Sequence, residues 1–307
     1  MAARAHFKMS HISVLLQEVI SGLNLKEGNI FLDATLGNAG HSKAIAPFLG
    51  IQGILVGLDR DLDRIEEAKK ALKDVPCKVF VRQANFRNLD SILDELGLQK
   101  IDSALFDLGL NSEHLEVSGR GFSFQKDEPL MMTFEKEITE ETLTASKIVN
   151  GWTKEDIADV LFEYGEERFA RRIALKIVEQ RKIKAIETTG ELVEIVKSAT
   201  PSWYSKRRIH PATKTFQALR IAVNDEIESL KDGLSKCFNR LSFEGRMAVI
   251  SFHSGEDRAV KKFFKEKVKE KMGILTNKKA ITPGREEEIK NPRSRSAKLR
   301  IIQKQTP

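Results

Sequence analysis

Three aspartates, two glycines and one phenylalanine set the chemistry this chain could perform. Asp33 lies near the exit of a short apolar run at residues 30–34, and a Gly-x-x-Gly turn, Gly37 to Gly40, follows it. A helix can begin at Ser42. Small residues let a backbone approach a ligand closely, and a helix N-terminus offers N–H donors without partners. Asp59 closes a second apolar run 22 residues after Gly37, where an acid can hold the two hydroxyls of an adenosine ribose. Phe86 follows a third run, suited either to an adenine ring or to plain helix–sheet packing. Asp107 ends a fourth run, at the edge where open α/β sheets bind ligands.

Three nucleotide-site classes compete for this pattern. A phosphate-cradling P-loop needs Gly-x-x-x-x-Gly-Lys-Ser/Thr, and no lysine follows Gly40. A nicotinamide site wants Gly-x-Gly-x-x-Gly, of which only Gly37 and Gly40 are present. An S-adenosyl-L-methionine site fits better, with a small-residue turn, an acid after the second strand and a ring after the third. Hydrolase chemistry is a poor fit because no Gly-x-Ser-x-Gly elbow occurs. His11, His41, His114, His210 and His253 show no metal-ligand spacing, so no metal site is expected. Ser254 reads as a helix N-cap with Asp257 at its third position.

The elements that must position these residues alternate strand and helix. A short amphipathic helix at 14–25 precedes strands at 30–34, 54–59, 79–81 and 101–108, each followed by a helical pattern or a turn. This predicts an α/β, doubly wound Rossmann-like sheet. The rhythm breaks after Gly109, and residues 111–211 read as a helical insertion with start signals at Thr153-x-x-Asp156 and Thr188-x-x-Glu191. One long helix is expected from Pro211 through Leu234, with Phe216, Leu219, Val223, Ile227, Leu230 and Leu234 at helical spacing. Strand character returns at 244–253 and 297–302. The expected organisation is therefore 1–110, an inserted domain 111–211, and 212–307 completing the first domain.

The chain has 307 residues and a formal net charge of +7, unevenly placed. From Val260 to Pro307 there are 15 Lys/Arg against 5 Asp/Glu, a balance of +10, which leaves −3 for the rest. A basic end on a near-neutral body suggests nucleic acid, and a solvated lysine face is the plainer reading. No run reaches the ~18 apolar residues of a membrane span, and residues 1–13 lack the apolar core of a secretory leader. Cys77 and Cys237 form neither a disulfide framework nor a zinc pattern. A soluble cytoplasmic protein is expected, with its oligomeric state open.

Several longer motifs carry a resemblance. The chain resembles the MraW-type bacterial 16S ribosomal RNA cytosine-N4 methyltransferases, from His11-Ile12-Ser13-Val14-Leu15-Leu16 to Asn291-Pro292-Arg293-Ser294-Arg295-Ser296-Ala297-Lys298-Leu299-Arg300. Arg120-Gly121-Phe122-Ser123-Phe124, Tyr164-Gly165-Glu166-Glu167-Arg168, the stretch His210-Pro211-Ala212-Thr213-Lys214-Thr215-Phe216-Gln217-Ala218-Leu219-Arg220, and Ser251-Phe252-His253-Ser254 are the most specific. The resemblance implies a class I methyltransferase domain interrupted by a helical substrate-recognition domain. It implies methyl transfer from S-adenosyl-L-methionine to N4 of a cytidine in the P-site (decoding) region of 16S rRNA in the small ribosomal subunit. Carried over by position, Ala39, Gly40, His41, Asp59, Phe86, Asp107 and His114 would contact the cofactor, beside Gly37 from the turn.

Asp107 and Asn111 are the catalytic candidates. Arg120, Phe122, Phe124, Arg293 and Arg295 are the candidates for RNA contact, with Phe122 and Phe124 either flanking the base or anchoring their loop. The chain departs from the family pattern at Ala39 (for glycine), Asn111 (for serine), His114 (for glutamine), Met131 (for aspartate) and Gly255 (for leucine). The Ala39 methyl is expected to crowd the cofactor. The Met131 change raises the rival of an RNA-binding ribosome-assembly factor with weak or lost turnover. A methyltransferase acting on another RNA base is the remaining alternative.

Overall fold

The computed structural model describes residues 13–109, 118–135, 137–207 and 209–306. Contacts divide the chain into two compact units, Met1–Gly109 with Ser229–Pro307, and Leu110–Glu228.

The first unit is built on a seven-stranded sheet in the order β3-β2-β1-β4-β5-β7-β6. The strands are β1 Ile30–Asp33, β2 Ile54–Asp59, β3 Lys78–Gln83, β4 Ile101–Asp107, β5 Leu241–Ser251, β6 Gly273–Leu275 and β7 Lys298–Lys304. β1 to β5 pair in parallel, while β7 runs antiparallel between β5 and β6. The alternation of side chains explains why the strands read as unbroken apolar runs. Phe31, Leu55, Leu105, Ala248 and Ile250 enter the core on one face, and Leu32, Val56, Phe106, Met247 and Val249 the core on the other. Helices Leu16–Leu23 and Gly40–Leu49 cover the first face; helices Leu89–Glu95 and Ser254–Lys269 cover the second. The expected α/β doubly wound architecture is the one observed.

The second unit is helical, with Ala145–Gly151, Lys154–Glu163, Ala170–Arg181, Thr189–Ala199 and Thr213–Asn224 around one apolar core. The Thr188 hydroxyl accepts from the Glu191 N–H, and the Glu191 carboxylate accepts from the Thr188 N–H, a complete capping box. At Thr153 the hydroxyl accepts from the Asp156 N–H and donates to the Asp156 carboxylate, so the reciprocal backbone bond expected there is replaced.

Three expectations need correction. The single helix through Leu234 is two, Thr213–Asn224 and Glu226–Arg240, broken at Asp225 with φ 48°. Asp and Asn tolerate this left-handed conformation. The buried Asn224 accepts from the Phe134 N–H (2.9 Å) and donates to the Met132 carbonyl (2.7 Å), which ties the helix end to a loop of its own unit. Arg220 and Glu226 pair through two bonds of 2.8 and 2.9 Å across the break. The compact units consequently divide at Glu228/Ser229 rather than at 211/212. Ser254 is the first helical residue, not the cap: His253 caps the helix, and Glu256 accepts from the N–H groups of Phe252 (2.8 Å) and His253 (3.2 Å). The short β6 had no pattern to announce it.

Candidate active site

The parallel register aligns the carboxyl ends of four strands. Asp33 pairs with Gly57, Asp59 with Gln83, and Asp107 with Ile250, so Asp33, Asp59 and Asp107 emerge on one edge of the sheet. The chain between Asp33 and Gly40 is stitched along that edge. Leu36 N–H donates to the Leu58 carbonyl (2.8 Å), and Gly37 N–H donates to Asp59 Oδ2 (2.8 Å). Gly37 has φ +50°, a conformation that glycine adopts at little cost. Arg64, almost fully buried, donates to the Asn38 side chain and so fixes the tip of the turn.

Asp59 braces the loop beside it. Its Oδ1 accepts from the Asp61 N–H (2.9 Å) and its Oδ2 from the Gly37 N–H. A carboxylate at this strand end has the chemistry to accept from a ribose diol. Phe86, half-buried, lies edge-on to Phe106 with centroids 5.5 Å apart. A Cβ at Gly233 would meet its Cδ2 at 2.7 Å, so one side of the ring is committed to packing. The packing role is thus present, and the rest of the ring is partly exposed.

Asp107 is fixed from both sides. Its N–H donates to the Thr35 hydroxyl (2.6 Å), and its Oδ2 lies 3.6 Å from His41 Nδ1. The other ring nitrogen of His41, Nε2, lies 2.9 Å from the Val14 carbonyl and donates to it. Asp33, only 2% exposed, accepts from the Ser42 hydroxyl (2.6 Å) and the Thr35 N–H (3.2 Å). Burial holds its carboxyl up at about 6, against the Ser42 bond, His41 and Thr35, which pull it down. Sequence reasoning singled out neither Thr35 nor Ser42. Ser42 sits in the first turn of a helix next to the Gly turn, which was a usable signal; Thr35 offered none.

The family-implied contacts are placed unevenly. Gly40 is exposed, and a Cβ there would meet Ser13 Oγ at 2.3 Å, so close packing against residue 13 is what requires glycine. Ala39 is fully buried in the core, at φ 59°, as the residue before the Gly40–Leu49 helix. Its methyl is enclosed by the core, and the cost of the missing glycine falls on the backbone. His41 is buried with its side chain engaged within the protein. Asn111 and His114 lie outside the described residues.

Among the RNA-contact candidates, Phe122 is in the core of the helical unit and stacks on Phe134 at 5.2 Å. Phe124 stacks on His210 at 4.6 Å and meets Phe216 edge-on at 5.2 Å. Both rings make the packing contacts that the loop-anchoring alternative expects. Arg120 donates to the Glu135 carbonyl (3.1 Å) and lies over the Phe122 ring. Arg293 and Arg295 are exposed in the one-turn segment Pro292–Ser296. No helix among the described residues is long and apolar enough to cross a membrane.

The sequence profile of the MraW methylase family matches residues 8–305. The chain belongs to the MraW methylase family. Ribosomal RNA small subunit methyltransferase H of Clostridium botulinum (strain Kyoto / Type A2) is 45% identical over 312 residues, covering 97% of this chain and 99% of the relative. The protein of the same name from Brevibacillus brevis is 40% identical over 309 residues, covering 96% and 98%. As a member of the MraW methylase family the chain is a methyltransferase that uses S-adenosyl-L-methionine. The turn at Gly37, the Asp59 carboxylate at the strand end and the partly exposed Phe86 are of a chemistry that fits that cofactor.

Proposed function

We propose that this protein methylates N4 of a cytidine in the P-site region of 16S rRNA within the small ribosomal subunit. Relatives across the whole chain carry the name of a small-subunit rRNA methyltransferase, which supports the substrate. The observation that carries the chemistry is Asp107: a carboxylate 16% exposed, held by Thr35 and His41 at the sheet edge where Asp59 and the Gly turn also lie.

S-adenosyl-L-methionine supplies an electrophilic methyl group on a sulfonium. The exocyclic amine of cytosine is a poor nucleophile, because its lone pair is delocalised into the ring. The protein must take the base out of its stack and aim the amine. Asp107 accepts a hydrogen bond from that amine, which concentrates electron density on nitrogen, and takes up the proton released on transfer. Asn111, four residues further on, orients the amide-like edge of the ring. Positioning of this kind is worth roughly 7–11 kcal/mol when reacting groups are held in line.

Asp107→Asn keeps the size and removes the charge. In single-turnover methylation of small-subunit particles at saturating cofactor, its rate should fall by about 10²-fold or more, the range of a lost general base. Cofactor affinity by calorimetry should fall less. A wild-type rate restored at saturation would reduce Asp107 to a cofactor ligand. Mass spectrometry of digested 16S rRNA, from cells with and without the protein, identifies the base. A mark on another base overturns the cytidine assignment, and no mark at all favours an assembly factor.

A further inference from the structure

The helical unit presents an aromatic surface that the methyl-transfer reading leaves unused. Trp203, in the one-turn helix Ser202–Ser205, is 47% exposed. Its ring lies edge-on to Phe169 (6.0 Å) and Tyr204 (5.8 Å), which meet each other at 5.0 Å. Arg168 lies over both Phe169 (5.1 Å) and Trp203 (5.3 Å). Arg172 lies over Phe169 (5.7 Å) and Arg207 over Tyr204 (5.5 Å). All three arginines are exposed, and among the described residues none forms an ion pair with a carboxylate.

The platform is built rather than incidental. Glu167, fully buried, accepts from the Tyr204 hydroxyl (2.8 Å) with one oxygen and from the Phe169 N–H (2.9 Å) with the other. Burial and this bond push the Tyr204 hydroxyl up to about 12, so it stays a donor across the working pH range. The Tyr204 ring and the Phe169 backbone are therefore held before any partner arrives, which lowers the ordering cost of binding. Exposed indole faces stack any nucleobase, and guanidinium groups without acidic partners select a polyanion.

We propose that Trp203, with Arg168, Arg172 and Arg207, is a docking surface for single-stranded RNA. An unpaired base stacks on the indole, and the neighbouring phosphates lie on the guanidinium groups. The RNA's identity as ribosomal rests on the proposed function; the surface itself does not.

The protein has two tryptophans, and Trp152 packs against the helical core. In a Trp152→Phe background, Trp203 is the sole indole fluorophore, and a short unpaired ribo-oligonucleotide should quench it. Trp203→Ala should raise the dissociation constant roughly 5- to 100-fold, and Trp203→Phe by less, since an aromatic face remains. Arg168→Gln, Arg172→Gln and Arg207→Gln together should lower the salt slope by about 2, at ~0.7 for each single-strand phosphate neutralised. Circular dichroism and thermal unfolding, which report on the helical unit itself, confirm that each variant is folded. Absent quenching, or unchanged affinity in folded Trp203→Ala, overturns the surface. Quenching by small-subunit particles but not by naked RNA overturns it in favour of a protein partner. If the wild type methylates particles while the platform variants bind RNA normally, only the surface falls. If RNA quenches Trp203 but no methylation occurs, the surface stands and the proposed function falls.

Discussion

Asp33 is a charge kept where burial disfavours it. Its carboxyl, at about 6 in the folded protein, lies above the ordinary 3.8, so between those values the folded state holds a proton that the unfolded chain releases. Stability therefore falls as pH rises through that window, and the penalty is complete above it. Asp33→Asn keeps one acceptor oxygen, for the Thr35 N–H, replaces the oxygen that accepts from Ser42 by an amide N–H2 that can donate to the Ser42 hydroxyl instead, and cannot ionise. Denaturant unfolding at neutral pH should show a gain of up to about 3 kcal/mol, shrinking toward zero near pH 4. An equal gain at both pH values would refute this account. Asp59 answers to a different measurement. Charge-assisted hydrogen bonds are worth about 1.5–3 kcal/mol each, so Asp59→Ala should weaken S-adenosyl-L-methionine binding tenfold or more in calorimetry. Unchanged affinity in the folded variant would remove Asp59 from the site.

Elements show where local rules hold and where tertiary contacts override them. The Gly40–Leu49 helix starts from Ala39 in the left-handed region, which costs an L residue about 1–2 kcal/mol. Ala39→Gly relieves that strain but loses a buried methyl worth about 0.8 kcal/mol. Stability should consequently move by no more than about 1 kcal/mol, with cofactor affinity unchanged; a large gain in affinity would restore the crowding idea. At the Ser254–Lys269 helix, Ser254→Ala should be neutral within about 0.5 kcal/mol, while Glu256→Ala should cost about 1–3 kcal/mol, read by thermal unfolding. The reverse order would return the cap to Ser254. The sheet through Asp107 was legible because its strands are short, apolar on both faces and separated by turn residues. The break at Asp225 was not, since Ile227, Leu230 and Leu234 continue the spacing of the preceding helix. Asp59 and Asp107 could be read from position at strand ends. The anchoring of Phe122 and Phe124 could not, because the rings they meet, Phe134, His210 and Phe216, are set by the tertiary fold.

At the scale of the molecule, charge and chain order carry consequences that no single residue does. The excess of +10 after Val260 includes the exposed lysines Lys261, Lys262, Lys265 and Lys269 on one helix, besides Arg293 and Arg295. Arg293→Gln with Arg295→Gln should weaken matched and mismatched RNA alike and lower the salt slope by roughly 0.7 for each phosphate no longer neutralised. An altered base preference with an intact slope would instead mean direct base reading. The order of the strands has a temporal meaning. β4 pairs with β5, yet about 130 residues are synthesised between Asp107 and Leu241. At ~5–20 residues per second, a nascent four-strand sheet waits roughly 6 to 26 seconds with the β4 edge unpaired. Ala104, Leu105 and Phe106, all fully buried in the finished protein, stand in that edge. The helical unit, complete once Glu228 has emerged, can fold in that interval and draw the flanking ends together before β5 appears. The length of the insertion thus sets how long the β4 edge waits, and early folding of the insertion leaves β5 a shorter effective loop to close once it appears.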